Sequence, residues 1–395
     1  MASEDTKIKD VDELYKSVRE LSKTYKSLSK AEFVRSGSVV LDALLGGGIP
    51  RGTFILWSAE NGCGKSTGAL HISRTYCLQD KKVLYLDYEG GVNLSQIEGI
   101  GLKDYLYSEE NPKGTFFLFQ CQTYKDGEKI LDKLMASVDL VVIDSMTAIL
   151  TEKVKGSSSE DVLPGIDARV SSTFMKKYKA EAVRCGVTWV MINQIRTKIA
   201  MGFGQVTHDE EAGGQALRFY PDIRLRMKKA FKGTLEREEK TSNGLQKVPF
   251  GAVCDIWAEK NRHMRPKIPL SLTIIFGKGI SNEFAYAQWL LNQGFIIKTG
   301  SWFNIKFNDH DEKFQGMDKI VEWVTTNRNE VKEFINSNGG YKLILDEASP
   351  AIDIGLGPDN VESYDEATAV GEFEEIAEEP IKEEKKVKEE KSKKK

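Results

Sequence analysis

A lysine followed by a hydroxyl, behind a glycine-rich turn, can hold a phosphate and a divalent cation together. Residues 54–67, FILWSAENGCGKST, have that composition. An apolar run leads into Ala59, Glu60, Asn61, Gly62, Cys63 and Gly64, and then into a segment suited to helix. Strand, tight loop and helix would aim several backbone N–H groups and a helix N-terminus at one anion. Lys65 would bring a mobile positive charge to the outer phosphates, Ser66 would hold magnesium, and Thr67 would continue the helix start. Ala59 stands where the pattern G-x-x-x-x-G-K-[ST] has its first glycine. If that position needs a positive φ, alanine costs on the order of 1–2 kcal/mol; otherwise the change is cheap.

Three more polar groups end apolar runs. Glu89 lies just past Val83–Asp87, Asp144 closes Leu140–Asp144, and Asn193–Gln194 follow Thr188–Ile192. Each alone suits a solvated strand end or a helix cap; gathered on the edge that carries the phosphate loop, they suit a site. The remaining strands read from the sequence are Phe54–Ser58, Phe116–Phe119, Ile223–Met227, Val253–Ala258 and Leu272–Phe276. Near-continuous apolar runs separated by helical stretches imply an α/β fold, with a mostly parallel sheet covered on both faces. Ligands in such sheets sit beyond the C-terminal strand ends.

The composition sets limits. At 395 residues, 40% hydrophobic and 29% charged, the chain fits a globular protein with a large core. No run reaches the roughly 18 apolar residues of a membrane span. A polar N-terminus without an apolar stretch argues against a signal peptide. Five scattered cysteines, without paired spacing for zinc or disulfides, point to a reducing cytoplasm. The net charge of −3 is uneven: residues 351–381 hold ten acidic and no basic side chains, and 382–395 hold eight lysines and four glutamates. The part before this tail is therefore mildly basic, and the acidic block suits a screen over a basic surface or simple solvation.

Residues 8–28 space Val11, Leu14, Tyr15, Val18, Leu21, Tyr25 and Leu28 as an amphipathic helix whose apolar face has no neighbour in sequence to cover it. A short strand follows at Ala31–Ser36 and a turn at Gly46–Pro50. Two stretches lack periodicity: Thr151–Pro164, polar and serine-rich, and Thr197–Gly214, with four glycines. Lys153, Lys155 and Arg169 adjoin the first; Arg196 and Lys198 open the second, which also carries Ile199, Met201 and Phe203. Apolar side chains on a basic, glycine-rich loop suit wedging between stacked bases; a lid over the nucleotide is the equal alternative.

Taken together, residues 36–303 resemble the bacterial and phage RecA recombinases. The resemblance rests on Ser36–Asp42 (SGSVVLD) before the phosphate loop, Asn193–Ile199 (NQIRTKI), Phe203–Gly204, Gly213–Tyr220 (GGQALRFY), Lys260–Asn261–Arg262, Gly279–Ser281, Trp289–Leu290 and Gly300–Phe303. It implies a RecA-like P-loop ATPase core over 37–277. Around the core it implies an N-terminal helix and strand over 1–36 that packs on the next protomer, a small α+β C-terminal domain over 278–348, and a charged, disordered tail over 349–395. It further implies that ATP and Mg2+ are bound, that Glu89 is the general base, and that Gln194 senses the γ-phosphate. Lys260 and Arg262 would reach a neighbour's phosphates, and Ser66 and Asp144 would serve the metal. The two aperiodic stretches, about 151–170 and 197–215, become DNA-binding loops, with Arg169, Lys176, Arg196, Lys198, Ile199, Phe203, Gly213, Gly214 and Gln215 lining the strand. Asn93 and Gln96 fall where the family has an acidic residue and a tyrosine beside the adenine.

The resulting expectation is a cytoplasmic, DNA-dependent ATPase that forms helical filaments on single-stranded DNA, pairs it with homologous duplex and exchanges strands. The alternatives are a hexameric helicase motor on the same core and an ATP-gated strand-binding mediator without turnover.

Overall fold

The computed structural model describes residues 32–149, 166–198, 208–211, 214–241, 244–263 and 269–338. The expected helix over 8–28, the stretch 151–164, the loop residues Ile199, Phe203 and Gly213, and the charged tail lie outside those residues.

The described chain begins with β1 (Phe33–Val34), α1 (Val39–Leu45) and β2 (Ile49–Pro50), the two strands pairing antiparallel. Ser38 caps α1 by accepting the Leu41 N–H, and Gly46 closes it at φ 91°. The turn expected at 46–50 is therefore shorter, because Ile49 and Pro50 already pair as strand.

The core follows as β3 (Phe54–Ala59), α2 (Lys65–Leu78), β4 (Val83–Asp87), α3 (Leu94–Ile100), β5 (Phe116–Gln120), α4 (Tyr124–Leu134), β6 (Leu140–Asp144), α5 (Ile166–Cys185) and β7 (Thr188–Lys198). Next come β8 (His208–Glu211), α6 (Gly214–Phe219), β9 (Ile223–Thr241), β10 (Gly244–Asn261), β11 (Leu270–Ile275) and β12 (Gly279–Ser281). These strands form one sheet in the order β12-β11-β10-β9-β3-β7-β6-β4-β5, with β8 paired to β7 off that path. All pairings from β9 through β3, β7, β6 and β4 to β5 are parallel. The extension through β10, β11 and β12 is antiparallel, as a hairpin between β9 and β10 requires.

Alternation along each strand splits the core in two. Ile55, Trp57, Val83, Tyr85, Val142 and Ile192 face one layer, shared with α1, α2 and the C-terminal helices. Phe54, Leu56, Leu84, Leu86, Ile143 and Met191 face the other, covered by Tyr124 and Leu131 of α4, Phe174 and Tyr178 of α5, and Leu217 of α6. Burial on both faces is why β3, β4 and β6 are apolar at nearly every position.

The C-terminal part has α7 (Asn282–Asn292), a three-stranded antiparallel sheet of β13 (Ile296–Thr299), β14 (Trp302–Ile305) and β15 (Lys313–Gln315), then α8 (Met317–Thr326) and α9 (Arg328–Ser337). Its apolar residues Phe284, Leu290, Ile320, Val324 and Ile335 continue the first core layer. Asn282 fastens the junction, accepting the Val39 N–H at 3.0 Å and donating to the Gly37 carbonyl at 2.9 Å.

The largest departure from the sequence reading is the β9–β10 ribbon. Strands of five and six residues were expected at Ile223–Met227 and Val253–Ala258; they run 19 and 18 residues. The outer half of β10 is largely exposed. Without an apolar face it carries no period-2 signal, and backbone pairing alone extends it.

Candidate functional site

The ends of β3, β4, β6 and β7 converge. Register places Ala59 beside Gln194 and Asp87 beside Asp144, so the polar groups that close three separate apolar runs share one edge of the sheet with the loop that follows β3. Ala59 is extended β3 residue and not among the positive-φ positions, so alanine there is cheap. The loop's left-handed turns fall instead at Gly62 (φ 78°) and Gly64 (φ 79°). A Cβ on Gly64 would also lie 2.7 Å from the Ile274 side chain. Gly64 is the N-cap of α2 and offers no side-chain cap, so the first N–H groups of that helix remain for a ligand.

Lys65 is buried, and its Nζ donates to the carbonyls of Ala59 (3.1 Å) and Glu60 (2.7 Å). Burial holds its pKa below the ordinary lysine value, against the pull of Cys63, Glu89 and Asp144. Asp144 is buried too, and desolvation pushes its carboxyl up to about 6, although the Ser66 and Tyr85 hydroxyls oppose the shift. Tyr85 Oη donates to Asp144 Oδ2 at 2.7 Å. Asp144 Oδ1 has no hydrogen-bond partner among the described residues.

Glu89 is held from two sides, by Ser145 Oγ at 2.5 Å and Gln194 Nε2 at 2.8 Å, both on Oε1. Its backbone is placed by Asp87, whose carboxylate accepts the N–H groups of Glu89 (3.1 Å), Gly90 (2.8 Å) and Val92 (2.9 Å). Thr147 Oγ1 donates to Asn193 Oδ1 and accepts the Gln194 N–H, which fixes the strand at Gln194. Ser145, Tyr85, Asp87 and Thr147 were not singled out from the sequence. Ser145 and Asp87 adjoin residues that were, but their roles depend on which strands become neighbours.

The family model for the RecA N-terminal domain matches residues 5–281. The chain belongs to the RecA family. It is similar to the chromosomal Protein RecA of Lactococcus lactis subsp. lactis (strain IL1403), 29% identical over 327 residues that cover 82% of this chain and 79% of the relative. Protein RecA of Campylobacter fetus subsp. fetus (strain 82-40) is 28% identical over 346 residues, 86% of this chain and 94% of the relative. A solved structure described as the crystal structure of the RadB recombinase matches with a TM-score of 0.44 at 22% identity, covering 63% of this chain and 98% of that one. No helix among the described residues is long and apolar enough to cross a membrane.

Other residues expected in a RecA-family site lie elsewhere. Lys260 pairs in register with Arg224, which is level with Leu56, and Arg262 follows past the start of β3. The phosphate loop leaves the other end of that strand. Lys260 Nζ donates to the carbonyls of Phe219 (2.7 Å) and Pro221 (2.6 Å), and burial beside Arg262 lowers its pKa. Arg262 pairs with Asp222 at 3.1 Å, as does Lys179 at 2.8 Å, while Asp222 also accepts the Phe54 N–H. Within one chain, these cations therefore serve the edge opposite Lys65.

Arg169 and Lys176 are exposed on α5, seven residues and so two turns apart, on one face. Arg196 and Lys198 lie on β7 beyond Gln194, opposite Glu210 and His208 of β8. Gly214 and Gln215 open α6. Asn93 caps α3 in a reciprocal capping box with Gln96, which uses their polar groups locally. A Cβ on Gly99 of α3 would meet the Gly277 carbonyl at 2.3 Å. Phe276, 38% exposed, adjoins that contact.

Proposed function

We propose that this RecA-family chain is a DNA-dependent ATPase that assembles as a filament on single-stranded DNA, pairs it with homologous duplex and exchanges strands. The observation that carries the reading is Glu89 held by Gln194 at 2.8 Å. Gln194 stands on a strand that runs without a break into Arg196 and Lys198. A carboxylate tied to that strand couples hydrolysis to whatever the basic segment holds.

In this reading Gln194 turns its amide to the γ-phosphate of ATP and frees Glu89 to take the proton of the attacking water. The same movement passes along β7 to the loop beginning at Thr197, a short order–disorder switch. Lys65 exchanges the Ala59 and Glu60 carbonyls for phosphate oxygens, joined by the N–H groups of residues 60–67. Magnesium fits Asp144 and Ser66: the buried, unpartnered Asp144 Oδ1 is an acceptor in need of a cation. No cluster of three His, Cys, Asp or Glu side chains suited to a metal occurs among the described residues. A cation sharing phosphate oxygens and waters, as magnesium does, suits that donor set. When bound it supplies charge neutralisation for the terminal phosphates.

Lys260 and Arg262 would complete the site from the next protomer, where transition-state charge develops. Phe276 would supply the aromatic face for the base that Asn93 and Gln96 do not. Arg169, Lys176, Arg196 and Lys198 would neutralise the DNA backbone, with Ile199, Phe203 and the segment Gly213–Gln215 against the strand.

Phosphate release measured with and without single-stranded DNA tests the reading. DNA should stimulate turnover, and Glu89→Gln should keep ATP-dependent DNA binding while losing turnover by roughly 10²–10⁴-fold. A Glu89→Gln variant that hydrolysed ATP at the wild-type rate would remove the assigned base. Electron microscopy should show open filaments on single strands; closed rings that unwind duplex would replace the recombinase with a motor.

A further inference from the structure

Cys63 is the residue of the phosphate loop that the chemistry above leaves unused. It is buried, as is Cys254 on β10, 191 positions away in sequence, and both are free thiols. Cys254 Sγ donates to the Cys63 carbonyl at 3.7 Å, which sets the two cysteines against each other between the loop and β10. We propose that Cys63 and Cys254 are a peroxide-sensitive thiol pair whose disulfide closes the phosphate loop to nucleotide. The inference rests on the reading that this loop binds ATP.

The geometry favours a bond between these two sulfurs. Cys254 Sγ reaches the Cys63 main chain, whereas Cys121 Sγ donates to the Phe119 carbonyl at 3.9 Å. Cys63 is buried, but the two loop residues before it, Asn61 and Gly62, are exposed, and nothing lies within 4 Å of a Cβ placed on Gly62. A molecule the size of peroxide needs only a small movement of that loop to arrive.

Electrostatics prepare one member of the pair. The neighbouring Cys254, with help from Lys65, lowers the Cys63 thiol below its ordinary value against the opposing effect of burial. Burial pushes Cys77 and Cys121 up to about 11. Cys63 is therefore the more acidic of the two thiols and the better nucleophile, while its neighbour Cys63 and burial raise the Cys254 thiol.

The chemistry balances with hydrogen peroxide as the two-electron oxidant. The Cys63 thiolate attacks one peroxide oxygen, the S–O bond forms, the O–O bond breaks, and hydroxide leaves and is protonated to water. The Cys254 sulfur then attacks the Cys63 sulfenic acid. The S–S bond forms, the S–O bond breaks, and a second water leaves with the Cys254 proton. Two thiols and one peroxide give one disulfide and two waters.

A disulfide holds its sulfurs about 2.05 Å apart, well inside a thiol–thiol contact. Closing the bond draws the loop toward β10. Cys63 lies between the two left-handed glycines and two residues before Lys65, so the shift misaims the N–H groups and the lysine that should meet the phosphates. Bound ATP opposes it by holding the loop open.

The test uses the full chain, reduced and then treated with hydrogen peroxide with and without MgATP. Thiols are blocked, and linked peptides are read by mass spectrometry beside the affinity for a fluorescent ATP analogue. A peptide linking Cys63 to Cys254 should form, ATP affinity should fall at least tenfold, dithiothreitol should restore both, and prior MgATP should slow the reaction. Cys254→Ala and Cys254→Ser should bind ATP as the reduced wild type does and lose the reversible inactivation. A linked peptide with unchanged affinity overturns the proposal, as does equal and reversible inactivation of both Cys254 variants. Failure of the reduced wild type to bind ATP would instead strike the nucleotide reading, because the linked peptide is scored independently.

Discussion

The two edges of the sheet are opposites in charge and in what they lack. At the C-terminal ends of β3, β4, β6 and β7, carboxylates are gathered: Asp87 and Asp144 are buried, Asp144 Oδ1 has no partner among the described residues, and the exposed Glu89 is held by two neutral donors. At the other edge Lys260 leans on two main-chain carbonyls, and Lys179 and Arg262 share Asp222. One edge needs cations; the other holds cations on its own chain. In the proposed reading each is half of a site, and a head-to-tail assembly of identical chains would bring the halves together.

The largest effect should come from the lysine that belongs to the first edge alone. Lys65→Ala should abolish measurable hydrolysis and ATP-dependent DNA binding together, a loss of at least about 10³-fold. A phosphate-release assay that retained more than a tenth of wild-type turnover would separate the loop from the chemistry.

The comparison itself breaks or holds on mixing. Lys260→Ala and Glu89→Gln should each be inactive alone. Mixed in equal amounts, about a quarter of head-to-tail interfaces would pair an intact Glu89 with an intact Lys260, and turnover should return in that proportion. No recovery in filaments that assemble normally would place both residues in one chain's site.

A smaller effect follows from the carboxyl of Asp144, raised to about 6 by burial. As pH falls through 6 the group protonates and stops attracting magnesium, so MgATP affinity should drop by up to about tenfold per pH unit. The free chain should respond in the opposite sense. The unfolded carboxyl titrates lower, so the folded state binds the extra proton and this group's destabilising contribution is relieved between pH 6 and 4. Calorimetry and nucleotide titration over that window separate the two trends; Asp144→Asn should flatten both.

Asp222→Asn should have the smallest effect. It keeps shape but leaves Lys179 and Arg262 without their shared anion, so the melting temperature should fall by roughly 2–6 °C. Turnover should change only a few-fold, because Lys260 rests on carbonyls rather than on Asp222. A loss as large as that of Lys260→Ala would make Asp222 part of the basic half-site's chemistry.

Legibility along the chain followed burial. Val83–Asp87 and Leu140–Asp144 are found where the sequence places them, because strands enclosed on both faces must be apolar throughout. The β9–β10 ribbon escaped because its outer half, including Glu236–Lys240, is polar and offers no alternation. In the site, Lys65 stands out behind a glycine-rich loop, and Glu89, Asp144 and Gln194 as polar residues ending apolar runs. Ser145 and Tyr85 do not, since a hydroxyl after a strand and a tyrosine within one are ordinary until a partner is known.

The chain's local order by itself determined the glycine-rich loop before Lys65, the strands that deliver polar ends, and the family. Those depend on residues adjacent in sequence, or on periodicities of two and near four. Only the tertiary structure decided that Glu89 rests on Gln194 and Ser145, that Lys260 and Arg262 stand at the far edge, and that Cys63 meets Cys254. Each of those contacts depends on the order and register of strands in the sheet. That arrangement comes from burying the two apolar layers at once, a property of the whole chain and of no single segment.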